Sequence, residues 1–334
     1  MPAEPPQRTG EVPVAHARSE HRLAVGSSDR MLTLFLRLGV AVLVVGLVAV
    51  GFLYYKDQYV TPAPSMLQQQ INLTEAAVRK SPNNVDARLQ LGLVYQQAKR
   101  YEDAVAQFEQ VLKVAPDSKD ALVAKGYALL EKGDLAGATA PLTKVIKASR
   151  KGEFASSDSL LGAAYYYLGV IAIKQQKPEL AIEQLSHSLN IAPTDSDAMY
   201  QVGLAQLQQG KPEKAVATFK NALRFVPTGW CEPYQQLQTA YTTMKKPELA
   251  SYAAAMVAFC GKHVDEAKTQ LAALTKGPAA VDALLGLGLI AETESDTKGA
   301  VAWYQKALAK DPTNVSAMSS LSALGETPAS TAKK

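Results

Sequence analysis

Few residues in this sequence have the chemistry needed for catalysis or for metal binding. There are four histidines and two cysteines among 334 residues. His16 and His21 lie in a stretch rich in Pro, Ala, Glu, Arg and Ser, whereas His187 and His263 each stand alone in a polar stretch. Catalysis needs a positioned nucleophile, base or metal, and a zinc site needs several Cys or His ligands together. The pattern predicts surface histidines, no metal site and no catalytic residues.

The acidic residues also favour a structural role. Glu102, Asp103, Glu213 and Glu248 fall where helices are predicted to begin, and a carboxylate at that end of a helix stabilises the helix dipole. The glycines recur at a regular spacing, which is a packing pattern and does not form a phosphate-binding loop. We therefore expect no cofactor and a protein that is not an enzyme.

The two cysteines are the remaining reactive pair. Cys231 is predicted to start one helix and Cys260 to end the next. An antiparallel hairpin brings those two ends together, so a Cys231–Cys260 disulfide is feasible if this part of the chain lies outside the cytoplasm. Two buried free thiols are an equally good interpretation of the sequence.

Composition limits the class of protein further. The chain is 47% hydrophobic and 20% charged, with a net charge of +4. That apolar share is enough for a core, so disorder throughout is excluded. The small basic excess is not clustered as a nucleic-acid interface requires, so we expect no nucleic-acid partner.

A dense apolar block near residue 40 predicts a membrane helix over 31–56. The run 38–55 contains no charge and spans about 27 Å as a helix, close to the thickness of the hydrocarbon core. Arg37 at one end can extend to the headgroups, and Phe52, Tyr54 and Tyr55 form an aromatic belt at the other. A buried core helix and a cleaved signal peptide are the alternatives. The absence of a polar face and of a cleavage site favours an uncleaved anchor in the lipid bilayer.

The basic residues around this block predict its orientation. Arg22, Arg30 and Arg37 precede it, and Lys56 alone follows closely. The excess on the N-terminal side predicts a cytoplasmic N-terminus and an extracytoplasmic C-terminal part, either periplasmic or on the cell surface. Residues 1–30 are expected to be a disordered tail, 57–64 a short linker, and 325–334 a second disordered tail.

The rest of the chain contains an internal repeat. Gly92 and Gly126 are 34 residues apart, as are Gly169 and Gly203. The separation between Gly126 and Gly169 is 43, which corresponds to one period plus a nine-residue insertion at about 153–161. Each block predicts two helices joined by a polar turn. Small residues at recurring positions allow close helix contact, and prolines end most of the second helices.

These motifs resemble the tetratricopeptide repeat family over about 65–324. The resemblance implies an all-α fold: a right-handed solenoid of stacked antiparallel helix pairs, preceded here by the one membrane helix. Arg150 departs from the motif, since it stands where a terminal proline is expected. The predicted units are repeats at 85–118, 119–152, 162–195, 196–229 and 281–314, an irregular part at 231–280, an initial capping helix at 65–82 and a final one at 315–324.

The irregular part follows from the spacing of the glycines. Gly203 and Gly288 are 85 residues apart, which is 2.5 periods. We therefore predict a half-repeat slip, with three helices at about 231–244, 248–260 and 264–275 in place of two or four.

The resemblance also implies a concave groove that is lined by the first helix of each repeat and holds a partner's peptide or helix. The family subgroup that clamps a C-terminal carboxylate uses Lys, Arg and Asn there, and this chain has Leu, Tyr and Ala instead. Tyrosines in such a groove suit an interface, because the ring packs while the hydroxyl stays hydrated. The predicted groove residues are Leu89, Leu93, Gln96, Val123, Tyr127, Tyr166, Val170, Ile173, Lys174, Tyr200, Leu204 and Leu207.

Together these features predict a membrane-anchored adaptor that binds segments of other proteins, in the assembly of a cell-envelope complex. The alternative is a structural protein that associates with itself and organises a membrane assembly without a client peptide. A cryptic enzymatic site in the 153–161 insertion is the least favoured interpretation.

Overall fold

The fold is helical throughout the part of the chain that the structure, a computed structural model, describes, which is residues 27–56 and 65–326. These residues form sixteen α-helices and no β-strand. The linker predicted at 57–64 and most of the two predicted tails lie outside the described residues. The chain divides into two units, Met1–Ser65 and Met66–Lys334.

The described part of the first unit is one helix, α1 (Ser27–Tyr55). Residues 27–30 are therefore helical, which corrects the prediction that the disordered tail extends to residue 30. The apolar part, Met31–Tyr55, is long and apolar enough to cross a membrane, and its side chains are exposed.

The second unit is a succession of fifteen helices joined by short turns. They are α2 (Met66–Lys80), α3 (Val85–Gln97), α4 (Tyr101–Val114), α5 (Lys119–Lys132), α6 (Leu135–Ser149), α7 (Ser159–Lys174), α8 (Pro178–Ile191), α9 (Ser196–Gln208), α10 (Pro212–Phe225), α11 (Glu232–Thr243), α12 (Pro247–Cys260), α13 (Val264–Ala273), α14 (Ala280–Thr293), α15 (Thr297–Lys310) and α16 (Val315–Ala323).

Local sequence fixes where these helices begin. Asn84, Ser118 and Asp195 precede α3, α5 and α9, and each side chain accepts a hydrogen bond from a backbone N–H of the first turn. Proline is the first residue of α8, α10 and α12, where its missing N–H has no helical partner to lose.

The recurring glycines allow the two helices of a pair to touch. A Cβ placed on Gly92 would lie 2.5 Å from the Phe108 ring, and one on Gly126 would lie 2.5 Å from Leu142. Gly169 faces Leu185 in the same way. Each of these large partners is fully buried. The repeat spacing therefore reflects one contact that is built again in successive pairs.

The insertion between α6 and α7 forms a 3-10 turn, Ala155–Ser157, before Asp158 caps α7. The Asp158 carboxylate accepts hydrogen bonds from the backbone N–H groups of Leu160 and Leu161, and Lys119 Nζ donates to it at 2.7 Å. The insertion is thus held to α5 by this ion pair.

The helix pairing changes after α10. Three helices, α11, α12 and α13, occupy the part predicted to be irregular. α12 packs on α11 as the second helix of a pair, and it also packs on both α13 and α14. Lys220 of α10 reaches across this part, and its Nζ lies 2.6 Å from Asp282 Oδ1 of α14. This ion pair links two elements that are distant in the sequence.

Candidate binding groove

The first helices of successive pairs pack directly on one another. α3 contacts α5, α5 contacts α7, α7 contacts α9, and α9 contacts α11. The second helices α4, α6, α8 and α10 show no comparable packing among themselves. In a curved stack the elements on the inner side are closer together, so the first helices line the inner surface. We call the inner surface of α3, α5, α7 and α9 the groove.

At the α3–α5 end, the predicted groove residues differ in exposure. Leu93 is exposed, at 40%, and Leu89 is half-buried. Gln96 Nε2 donates to the backbone oxygen of Ala124 at 2.7 Å, so this side chain ties α3 to α5. Val123 is only 7% exposed and belongs to the core, which corrects its assignment to the groove surface. Valine at this position packs between neighbouring pairs.

At the α7–α9 end, the aliphatic groove residues serve two purposes. Val170, Ile173, Leu204 and Leu207 are half-buried and pack against core clusters while keeping some surface exposed. Lys174, the last residue of α7, is exposed. These residues give the groove an apolar floor with a polar edge.

Tyrosines of α5 and α7 form a connected cluster with one tyrosine of α4. The Tyr127 and Tyr167 ring centroids are 5.2 Å apart, and those of Tyr166 and Tyr167 are 5.4 Å apart. Tyr101, from the second helix α4, meets Tyr127 edge-on at 6.4 Å. We call Tyr101, Tyr127, Tyr166 and Tyr167 the tyrosine cluster. Tyr101 is not among the groove residues predicted from the sequence, and its place just after the α3–α4 turn is the signal that could have indicated it.

Tyr200 is more constrained than a free groove side chain would be. Its ring lies 5.6 Å from Phe219 and 5.3 Å from Trp230. Tyr200 is half-buried as a result, and we expect its replacement to lower stability as well as to alter the groove surface.

The tyrosine cluster borders a cleft of about 590 Å³. Tyr127, Tyr166 and Tyr167 form one side of it, and Asp195 and Asp197 lie at the start of α9. Burial raises the pKa of the Asp197 carboxyl, and the nearby charge of Asp195 raises it further. Burial likewise raises the pKa of Tyr127 to about 12. The cleft therefore combines aromatic faces with two carboxylates.

The cysteines lie where the hairpin geometry predicts. Cys231 is the residue before α11, and Cys260 is the last residue of α12. Both are half-buried free thiols, and their side chains are in hydrogen-bonding contact. The two sulfur atoms are thus neighbours without being bonded.

The two histidines in the described part of the chain, His187 and His263, lie at separate elements, and His16 and His21 lie outside the described residues. The His187 ring stacks on Tyr165 at 4.8 Å, and His263 is the residue before α13. Among the residues that the structure describes, no three His, Cys, Asp or Glu side chains are grouped so that they could hold a metal ion. Tyr165 also packs against a core cluster.

Comparison with known families identifies the repeat. The family model described as tetratricopeptide repeat matches residues 71–108, 89–153 and 252–315. A second model with the same description matches 197–229, and the matches together cover more than half of the chain. The chain is a tetratricopeptide repeat protein.

The tetratricopeptide matches agree with the helix pairing described above. The match at 252–315 begins within α12 and ends just after α15. α12 packs on both α11, which precedes the match, and α13, which lies inside it. The change of phase therefore occurs within α11–α13.

Solved structures are similar to this chain, and PilW shows the same fold. PilW, described as a widely conserved type IV pilus biogenesis factor, is 20% identical with a TM-score of 0.51, over 63% of this chain and 100% of the PilW chain. A chain of the APC/C hetero-tetramer Cut9–Hcn1 is 17% identical with a TM-score of 0.47. That match covers 78% of this chain and 46% of the other, so this chain spans about half of it.

A third similar structure is the C-terminal part of a repeat protein from Cytophaga hutchinsonii, with 18% identity and a TM-score of 0.46 over 76% of this chain and 94% of the other. No curated protein matches the sequence significantly. Tetratricopeptide repeats form protein-interaction scaffolds that are typically not enzymes, and this chain is a scaffold of that type.

Proposed function

We propose that this protein is a membrane-anchored adaptor that binds segments of partner proteins in the groove, in the assembly of a cell-envelope complex. The observation that carries the proposal is the tyrosine cluster, since Tyr127, Tyr166 and Tyr167 of the first helices α5 and α7 line an open cleft. Half-buried aromatic groups with apolar neighbours are typical of binding surfaces, and an adaptor needs no catalytic group.

The anchor is the apolar part of α1. Its length, composition and exposure support insertion in a bilayer. The arginines on its N-terminal side support a cytoplasmic N-terminus, which would place the repeats outside the cytoplasm. We propose that the protein is single-pass and that the repeats are periplasmic or on the cell surface.

The envelope process is proposed by analogy. PilW has this fold and is described as a pilus biogenesis factor, and an anchored solenoid outside the cytoplasm is suited to a comparable role in assembly. The partner is another protein, and self-association is the rival use of the same surface.

The test is site-specific photocrosslinking of the full chain in its own membranes. Leu93 and Lys174 are good positions for the crosslinking residue, since both are exposed on first helices. Glu183, exposed on the second helix α8, is the matched control. We expect adducts with another protein from the groove positions and none from Glu183. Adducts with this chain alone would favour the self-associating organiser. Equal adduct formation at all three positions would exclude the groove as the binding surface.

A further inference from the structure

An aspartate recurs at one position of the first helices. It lies six residues before the recurring glycine in four of the five regular repeats, and Ala163 stands there in the insertion-bearing one. These residues are Asp86, Asp120, Asp197 and Asp282, at the starts of α3, α5, α9 and α14.

At one of these four positions the structure shows an aspartate whose negative charge is paired with a lysine of the same chain. Asp282 is only 7% exposed, and its Oδ1 accepts a hydrogen bond from the Lys220 ammonium at 2.6 Å. Asp86, Asp120 and Asp197 are exposed instead. No basic side chain in the described part of the chain lies within 4.0 Å of these three carboxylates.

Asp197 is the one of these three aspartates that lines the cleft beside the tyrosine cluster, and its carboxylate has no basic partner in the described part of the chain. The residues that line the cleft include Tyr127, Tyr166, Tyr167 and Asp195, and no Lys, Arg or His among the described residues. Aromatic faces attract ammonium and guanidinium groups, more strongly where water is excluded. Lys174 is the nearest basic residue of the groove on α7, but it is about 12 Å along that helix from Tyr166.

We propose that the groove selects a positively charged, extended segment of a partner protein, with a lysine or arginine side chain placed between Asp197 and Tyr166. This inference rests on the proposed adaptor function and adds the chemical class of the partner. The partner's cation takes the place at Asp197 that Lys220 takes at Asp282.

Fluorescence anisotropy of the full chain in phosphatidylcholine nanodiscs tests this inference. The probe is a labelled nine-residue Ala/Ser/Tyr peptide with three lysines, and two matched peptides carry Gln or Glu in place of each Lys. Empty nanodiscs report binding to lipid. We expect the Lys peptide to bind about tenfold more tightly than the Gln peptide and the Glu peptide to bind more weakly still. Added salt should weaken the Lys complex.

Two variants locate the binding site. Asp197→Asn should weaken binding of the Lys peptide about fivefold while leaving the cap made by Asp195 in place. Glu183→Gln removes an exposed carboxylate of α8 and should change nothing. Thermal melting of both variants shows whether the repeats stay folded.

Equal or tighter binding of the Gln or Glu peptide would overturn the inference, as would an unchanged affinity in Asp197→Asn. Crosslinks from Leu93 and Lys174 to another protein, combined with such a result, would leave the adaptor function standing and reject only the positive charge of the partner. Absence of those groove-specific crosslinks would instead reject the adaptor function itself.

Discussion

At the scale of single residues, a missing methyl group decides how closely two helices approach. Gly92 faces the edge of Phe108, so a Cβ would overlap the ring. Gly162 of α7 differs, because its nearest contact, Ile191, would lie 3.4 Å from a Cβ. Two glycines inside buried helices thus differ in whether they have room for a side chain.

Gly92→Ala should lower stability. Overpacking costs about 1–3 kcal/mol, which outweighs the gain of up to about 1 kcal/mol from alanine's better helix propensity. Chemical denaturation of the full chain in detergent would measure the difference. Gly162→Ala is the matched control and should be neutral or slightly stabilising. Adding Phe108→Leu to Gly92→Ala should recover part of the loss, and an unchanged stability in Gly92→Ala would contradict the close-contact explanation.

The cysteine pair gives a second prediction for individual residues. In an oxidising compartment we expect Cys231 and Cys260 to form a disulfide. Each thiol loses a proton, and the pair's two electrons reduce the disulfide of an oxidised dithiol catalyst. Burial raises the pKa of Cys260, and the hydrogen bond with Cys231 raises it further. Because little Cys260 thiolate is present near neutral pH, Cys260 of the reduced protein should react slowly with iodoacetamide until the protein unfolds.

Thiol counting on protein isolated without reductant checks this prediction. The bond should add roughly 3–4 kcal/mol to stability in the chain-entropy model, and Cys231→Ser should show no such difference between oxidised and reduced samples. Two thiols that label rapidly in the native protein would contradict both the bond and the buried contact.

At the scale of elements, the stacking is irregular at the insertion before α7 and at α11–α13. A capping residue and ion pairs stabilise these two parts. Asp158 anchors the insertion through α7 and Lys119. Lys220 and Asp282 join α10 to α14 across α11–α13. Both ion pairs link helices that are not consecutive. One stabilises the insertion before α7, and the other stabilises the irregular part α11–α13.

Asp158→Asn tests the ion pair between Asp158 and Lys119. The effect of this variant on stability should depend on pH. Burial raises the pKa of Asp158, but the hydrogen bonds from Lys119 and the Leu161 backbone outweigh that effect, so the net pKa lies below the ordinary 3.8. A carboxyl with a lowered pKa stabilises the fold above its unfolded value and loses that contribution as the pH falls through the folded one. We expect wild type to exceed the variant by about 1 kcal/mol near pH 7 and the gap to close below about pH 4. A gap that is independent of pH would contradict this.

Lys220→Ala tests the ion pair between Lys220 and Asp282. It leaves Asp282 shielded from water without its partner, which should cost about 2 kcal/mol or more. The double variant Lys220→Met with Asp282→Asn should recover most of the loss, because the uncompensated charge is gone. Lys144, which pairs with the exposed Asp117, is the control, and Lys144→Ala should change stability by less than about 1 kcal/mol. Similar losses for Lys220→Ala and Lys144→Ala would show that the α10–α14 link has no special role.

At the scale of the whole molecule, the apolar part of α1 has no protein cover, while the second unit has its own cores. A chain lacking residues 1–56 should therefore remain soluble and helical. The full chain should stay in the membrane fraction after an alkaline carbonate wash. Protease digestion should remove the repeats from right-side-out vesicles and spare them in inverted ones. The reverse protection would overturn the proposed orientation, and full extraction by carbonate would overturn the anchor.

The sequence alone determined the all-α fold, the period of 34 and the helix that could cross a membrane. Each is set by the local sequence pattern. Small residues and turns at fixed spacing determine which helices pair, and an unbroken apolar run forms a helix without a polar face. The tertiary structure alone decided that Val123 is buried, that Tyr200 packs on Phe219 and Trp230, and that Lys220 neutralises Asp282. These outcomes depend on side chains from separate helices meeting in space. The sequence gives a residue's position on a helix face, but its exposure depends on what the neighbouring helices place against that face.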